Sequence, residues 1–456
     1  MPAASISVRT GPVAAARIRC PPIAPAGYAG RTKDGGASQM PHQENFSLRI
    51  GRAGVGGPGR RRLSVMLHAP LSSPPFRIAY IINSMEGGGA SSPVPAILDV
   101  LRRCGAEVRV FALTRRDGRG VAALEAAGIA VEIRPGGERD HGRALGWLLR
   151  RLRDWRPTHL WTSLTRATLL GQIAGLRLSL PVVSWQHAAF LKPANRRLLR
   201  TTRHLTTLWV ADSDAVAALT ADRLKVGPDR LMTWPIFRTD ADAPRAVPWQ
   251  PGEVIRIGSL GRLHPVKGYD VLLRAAAGLQ RLGLRFELTI GGEGAERAAL
   301  EAWAAEKGVR DVHFPGFVAD PRAFLAGLHL YVQPSWSEGF CIAAHEAMQA
   351  GLPVVASAVG ELARSVEPGV TGELVMPGAV EPLAGKIAAM IADPGGMAAI
   401  GAQARAMVLD RFGAEAFEAR GRAVMERLVS GGAARTGAAS RAVPRSQGRG
   451  ATASSA

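Results

Sequence analysis

The sequence predicts an α/β protein of two domains, each built on a parallel β-sheet, and three observations carry that prediction. Short apolar runs of strand type alternate with amphipathic helical stretches along most of the 456 residues, the pattern of repeated βα units. One unit is sharply drawn: the apolar strand Leu328 to Val332 breaks at Pro334 into a polar loop, Ser335 to Gly339. A helix from about Cys341 to Gln349 follows, and after Gly351 and Pro353 comes a second buried strand, Val354 to Ser357. Finally, a stretch with three prolines between Asp240 and Glu253 divides the chain into halves of ordinary domain size.

In the first half, the strand Arg77 to Ile82 leads into the glycine-rich loop Asn83 to Gly89 and a helix from about Pro93 to Cys104. Gly87 and Gly88 there either let the backbone approach a ligand or simply make a β-to-α turn. Strands at 107–113, 130–133, 159–162, 181–185 and 208–212 alternate with helices at 120–127, 144–154, 167–176 and 214–224, the last capped by Asp212 or Ser213. His187 follows the strand PVVSW, where a ring that titrates near neutrality suits hydrogen bonding or proton handling in a crevice; a structural role is the alternative.

In the second half, the strand Val254 to Leu260 runs into Gly261-Arg262-Leu263-His264-Pro265-Val266-Lys267-Gly268 and a helix from Asp270 to Leu282. An arginine fork and a lysine point charge flanked by glycines at a helix start can clamp a diphosphate, although basic loop residues more often face solvent. Strand Phe286 to Ile290 and the turn Gly291-Gly292-Glu293-Gly294 follow, then Val312 to Val318. Glu338 in the later loop and Glu346 on the helix behind it are spaced to face one side of a crevice. A carboxylate among Ala343, Ala344, Ala347 and Met348 needs a partner. A hydroxyl-rich ligand, a cation or a structural arginine would each serve.

These residues carry a resemblance. Ser337-Glu338-Gly339-Phe340, then Glu346-Ala347-Met348, then AGLPVVAS and Gly360-Glu361, together with G-R-L-x-x-x-K-G at Gly261 to Gly268, look like the signature of family 4 glycosyltransferases. The resemblance covers about Arg77 to Val429, densely in the second half. It implies the GT-B fold, two facing Rossmann-like domains with parallel sheets and a C-terminal crossover helix. It also implies retaining, metal-independent transfer of a sugar from a nucleotide diphosphate sugar, as substrate, to a hydroxyl acceptor, with no cofactor.

Carried over by position, Arg262 and Lys267 neutralise the leaving diphosphate, Glu338 lies at the donor sugar and Glu346 holds the ribose hydroxyls. His187 sits against sugar and acceptor, and Gly87 and Gly88 lie over the phosphates. Gly261 and Gly292 belong to the phosphate loops. The amides of Gly339, Phe340 and Cys341 meet the donor at a helix amino terminus. Phe317 and Val318 receive the base, although core packing explains them nearly as well. Two departures stand out: Cys341 occupies a place where glycine or proline is usual, and Trp234 to Asp240 replaces the family's interdomain N-G-[IV]-D turn.

The implied boundaries are a disordered basic extension at 1–75, an acceptor domain at 76–238, a linker at 239–253, a donor domain at 254–411, a crossover helix at 412–429 and a disordered tail at 430–456. An over-long gene start is a second reading of the extension, since Met66 precedes the first strand.

The net charge of +20 invites a nucleic-acid partner. Its distribution argues otherwise: residues 1–75 hold ten Lys/Arg against Asp34 and Glu44, and 430–456 hold four arginines and no acid. Cys20, Cys104 and Cys341 are too scattered for a zinc site or a disulfide framework, which fits a reducing, cytoplasmic setting. The expected partners are a nucleotide-sugar donor and a glycan or lipid-linked acceptor. Residues 190–204 alternate cations with Leu198 and Leu199, so they form either a solvated face or a contact with anionic lipid at the inner membrane face. A catalytically inactive sugar-nucleotide-binding module and a basic nucleic-acid-binding protein are the alternative functions.

Overall fold

The computed structural model describes residues 76–89, 91–187 and 191–440. The basic extension, the alternative start at Met66, Phe190 and the tail from 441 onward lie outside the described residues. Two wholly parallel sheets form the frame. The first contains β1 (Arg77–Ile82), β2 (Glu107–Ala112), β3 (Ala130–Ile133), β4 (His159–Ser163), β5 (Val182–Gln186), β6 (Leu208–Ala211) and β7 (Leu231–Thr233), in the order β3-β2-β1-β4-β5-β6-β7. The second contains β8 (Ile255–Leu260), β9 (Phe286–Gly291), β10 (Val312–His313), β11 (Leu330–Gln333), β12 (Val354–Ser357) and β13 (Glu373–Val375), in the order β10-β9-β8-β11-β12-β13.

Each strand order reverses once, between β1 and β4 in the first sheet and between β8 and β11 in the second. At such a reversal the loops leaving adjacent strands diverge to opposite faces and open a crevice at the carboxyl edge. The loops there are those singled out by sequence: Asn83–Gly89 after β1, Gly261–Gly268 after β8, and Pro334–Gly339 after β11. The inner strands are buried on both faces because helices cover both sides, as parallel sheets require.

The lobes share one apolar core. Ile78, Tyr80, Trp161 and Trp185 of the first sheet continue through Trp234 and Phe237 to Phe340, Phe412 and Phe417. Trp234 fills the place of the unmatched interdomain turn, with its ring 5.0 Å from Trp185 and 5.4 Å from Phe417. The last helix, Ala414–Ser440, crosses back to the first lobe and continues past the expected end at 429. It packs Gly421 against Trp234 and Val100 so closely that a side chain there would collide with both. Arg103 holds Glu418 at 2.7 Å, and Arg427 donates to the Asp229 carbonyl.

Candidate active site

The loop after β8 tightens into a single 3₁₀ turn, Pro265–Lys267. His264 caps it by accepting from the Val266 amide at 3.2 Å, and Gly268 ends it in the left-handed region at φ 66°. Only glycine fits at 268, since a Cβ would also strike the Pro334 carbonyl. The Trp336 amide donates to the Val266 carbonyl at 2.8 Å. The two loops at the second switch point are therefore fixed against each other by backbone contact.

That contact brings Lys267 and Glu338 together, with Nζ 2.8 Å from Oε1. The same oxygen accepts from Ser335 Oγ at 2.6 Å and from Gln333 Nε2 at 3.3 Å, while Gln333 in turn accepts from the Tyr331 hydroxyl at 2.7 Å. Burial works against the Lys267 ammonium, but Glu338 outweighs it, and the pKa lies above the ordinary lysine value. The lysine thus stays charged, held by a carboxylate that is itself nearly buried. Ser335, Gln333 and Tyr331 form the support that spacing alone did not reveal; their alternation from β11 into the loop after it was the available signal.

Arg262 does not join this pair. Its side chain is 64% exposed and reaches across to Glu86 of the first lobe's glycine loop, at 3.7 Å. Arg116 secures Glu86 from behind. Gly261 and Gly292 stack backbone on backbone, since a Cβ on Gly292 would collide with the Gly261 carbonyl. Gly261 also lies beside the Lys267 stem, 3.4 Å from Cε by its own notional Cβ.

Glu346 projects from the helix Ile342–Gln349 and is half-buried. Burial pushes its carboxyl up to about 7, with only Arg322 pulling it down. Arg322 spends its own guanidinium on Asp240 at 2.6 Å. The Glu346 side chain has no hydrogen bond or ion pair among the described residues, so the structural salt bridge left open by the sequence is not made. It is a carboxylate with unmet hydrogen-bonding capacity, as a receptor for ribose hydroxyls requires.

Cys341 begins that helix at φ 66°, ψ 69°, a left-handed position where glycine avoids strain that a cysteine must carry. Burial raises its thiol well above the usual range. The Phe340 ring turns inward to pack on His345 at 4.1 Å and Phe412 at 5.2 Å, leaving its backbone as the part that can meet a donor.

The lobes touch around this site. Gly339 sits directly under the His187 carbonyl, where any Cβ would collide. Phe317, 43% exposed, lies beneath the Arg119 guanidinium at 3.8 Å, and Arg119 also reaches Glu293 at 3.3 Å. Gly87 borders both Phe317 and Arg119. Gly88 has open space around it at φ 143°. Val318 is half-buried and packs against Gly291. His187 is held within the first lobe, its Nε2 2.8 Å from Ser163 Oγ and its ring stacked on Trp185. A separate cavity of about 110 Å³ lies between Phe340, Glu361, Arg411 and Phe417 and shares no lining residue with Lys267, Glu338 or Glu346.

Residues 87–237 match the family model described as Glycosyltransferase Family 4, and residues 244–407 the model described as Glycosyl transferases group 1. Among curated proteins, the chain is 33% identical over 171 residues to a 2-deoxystreptamine glucosyltransferase of Streptomyces kanamyceticus, an alignment covering 37% of this chain and 44% of that protein. It is 27% identical over 361 residues to a D-inositol 3-phosphate glycosyltransferase of Arthrobacter sp., covering 69% of this chain and 83% of that one. The first of these relatives is thus matched over less than half of its length. Among solved structures, Anabaena HepE in complex with UDP and glucose superposes with a TM-score of 0.67 at 24% identity, covering 78% of this chain and 100% of that chain. Sucrose-phosphate synthase from Thermosynechococcus elongatus superposes with a TM-score of 0.64 at 20% identity, over 78% and 99%. At these identities the structural likeness is one of fold.

Proposed function

Since the chain belongs to the family 4 glycosyltransferases of the GT-B fold, we propose that it transfers a hexose-type sugar, with retention, from a nucleotide diphosphate sugar to a hydroxyl acceptor. The observation that carries this reading is the second switch point. There Lys267 and Glu338 meet in a nearly buried pair, and the Glu346 carboxyl on the helix behind them has no protein partner among the described residues.

Lys267 stays protonated at neutral pH and supplies fixed positive charge to a diphosphate leaving group; Arg262 swings from Glu86 to join it once phosphate oxygens compete for its fork. Glu346 takes the ribose hydroxyls, and Glu338, released in part from Lys267, takes hydroxyls of the sugar. The departing phosphate oxygen deprotonates the incoming hydroxyl on the same face of the sugar, which gives retention without a protein nucleophile. Two protein cations provide the charge neutralisation that a metal ion would otherwise supply. Closure of the lobes at Gly339 and His187 excludes water from the reacting atoms.

UDP-glucose is the first donor to test, given UDP and glucose in the HepE complex. A glycan or lipid-linked intermediate is the proposed acceptor class; the names of the curated relatives add small cyclic polyols to the panel. Helix Pro193–Thr202 exposes Arg196, Arg197, Leu198 and Arg200, a face suited to anionic lipid, whereas Arg203 is tied to the carbonyls of Arg200 and Lys225. Among the described residues no single helix is long and apolar enough to cross a membrane.

A thermal-shift panel of UDP, GDP and ADP sugars tests the donor, since a ligand at a hundred times its dissociation constant adds about 2.7 kcal/mol. Stabilisation by one nucleotide class, with slow release of free sugar, is expected. No shift with any of them would overturn the reading, and an α-to-β change of anomer in the product would overturn retention.

A further inference from the structure

The carboxyl ends of β4, β5 and β6 present three side chains in line. Ser163 closes β4, His187 follows β5 and Asp212 follows β6. Ser163 Oγ lies 2.8 Å from His187 Nε2, and Asp212 Oδ2 lies 3.5 Å from His187 Nδ1. Neither His187 Nδ1 nor Asp212 Oδ1 has a hydrogen-bond partner among the described residues, although both are buried. Unmatched polar atoms in such a place are costly unless something completes them. The chain is bent to bring them there: Leu164, directly after Ser163, stands at φ 75°, ψ 157°, a region almost reserved for glycine.

The order of groups resembles a nucleophilic triad, but Ser163 is wholly buried and no electrophile can reach its oxygen. The lineup serves His187 instead. The His187 carbonyl is where Gly339 of the donor loop abuts the first lobe, so the imidazole stands at the seam that closes over a donor. An ionised carboxylate can only accept, so Asp212 favours a proton on Nδ1, whereas the Ser163 hydroxyl can donate or accept and follows whichever tautomer Asp212 sets.

We propose that Asp212 is a positioning residue for the transfer reaction: it holds His187 as the Nδ1–H tautomer, with the Nε2 lone pair kept for a hydroxyl. Ser163 occupies that lone pair when no substrate is bound, and a sugar or acceptor hydroxyl replaces it on closure. The loose 3.5 Å contact tightens as the donor loop presses on the His187 backbone, as such hydrogen bonds do on forming the reactive complex. This rests on the glycosyltransferase reading.

The test uses the full chain with histidine ring nitrogens labelled with ¹⁵N, the His187 signals being assigned by their loss in His187→Gln. The wild-type protein should show Nδ1 protonated and Nε2 bare, and Ser163→Ala should leave that tautomer unchanged. Asp212→Asn offers an amide that can donate to Nδ1, so it should shift the population toward Nε2–H. Donor turnover with UDP-glucose should fall at least about tenfold, with UDP affinity within about twofold of wild type. A wild-type spectrum with Nε2–H overturns the proposal without recourse to any variant. Unchanged turnover and tautomer in a folded Asp212→Asn protein overturn it while leaving the transferase reading intact. Failure of the wild-type protein to bind UDP or UDP-glucose removes both.

Discussion

At the residue scale two cations that look alike in sequence stand in different surroundings. Lys267 is locked against a nearly buried Glu338, whereas Arg262 is 64% exposed and held loosely by Glu86. Replacing Lys267 with Met leaves Glu338 uncompensated, so it should cost up to about 3 kcal/mol of stability as well as activity. Arg262→Ala should cost activity alone, about 100-fold in turnover, with urea unfolding unchanged within error.

Glu346 gives a signature of the opposite sign. Its folded pKa of about 7 lies above the ordinary carboxyl value, so the folded state binds the extra proton between those two values. Its contribution therefore falls as pH rises through that window and stays low above it. Glu346→Gln should raise the melting temperature more at pH 8 than at pH 5. The same change should weaken UDP binding at least about tenfold, since hydrogen bonds to a charged group are worth about 1.5–3 kcal/mol. A Gln variant that binds UDP normally would remove Glu346 from the donor site.

At the element scale, the helix Ile342–Gln349 starts from a strained residue. Cys341 at φ 66° carries a left-handed backbone that costs about 1–2 kcal/mol without glycine. Cys341→Gly trades that strain against a small buried side chain and should change stability by less than about 1 kcal/mol. Cys341→Val puts a β-branched side chain into the same conformation and should lose more than about 2 kcal/mol, and donor affinity with it. Denaturant midpoints for the two variants decide the point.

This helix also shows what sequence could and could not tell. Its span was readable from Gly339 before it and Gly351 behind it, because both ends are set by local chemistry. The orientation of Phe340 was not, since its ring packs on Phe237 and Phe412 from distant parts of the chain. Likewise, G-R-L-x-x-x-K-G announced two cations in one loop, but which of them meets Glu338 depends on how the loops after β8 and β11 clamp through Gly268 and Pro334.

At the scale of the whole molecule, the two parallel sheets were legible because βα alternation and proline punctuation are local signals, whereas the returning helix followed from the family resemblance alone. Trp234 was not: it fills the place of an unmatched turn and acquires its role only from Trp185, Phe417 and Gly421. The lobe contacts are equally tertiary. Gly339 has no room for a Cβ under the His187 carbonyl, so Gly339→Ala must hold the lobes apart. That variant should show a larger radius of gyration in the presence of saturating donor than wild type, and slower turnover.

The central claim is that positive and negative side chains from neighbouring loops of the second lobe act on one sugar nucleotide. The turnover of UDP-glucose by the Arg262→Ala/Lys267→Ala double variant, measured on protein shown to be folded, tests it most directly. Loss of about 1,000-fold or more is expected, from about 3 kcal/mol at each cation less any overlap between them. Turnover equal to that of the wild-type protein would contradict the account.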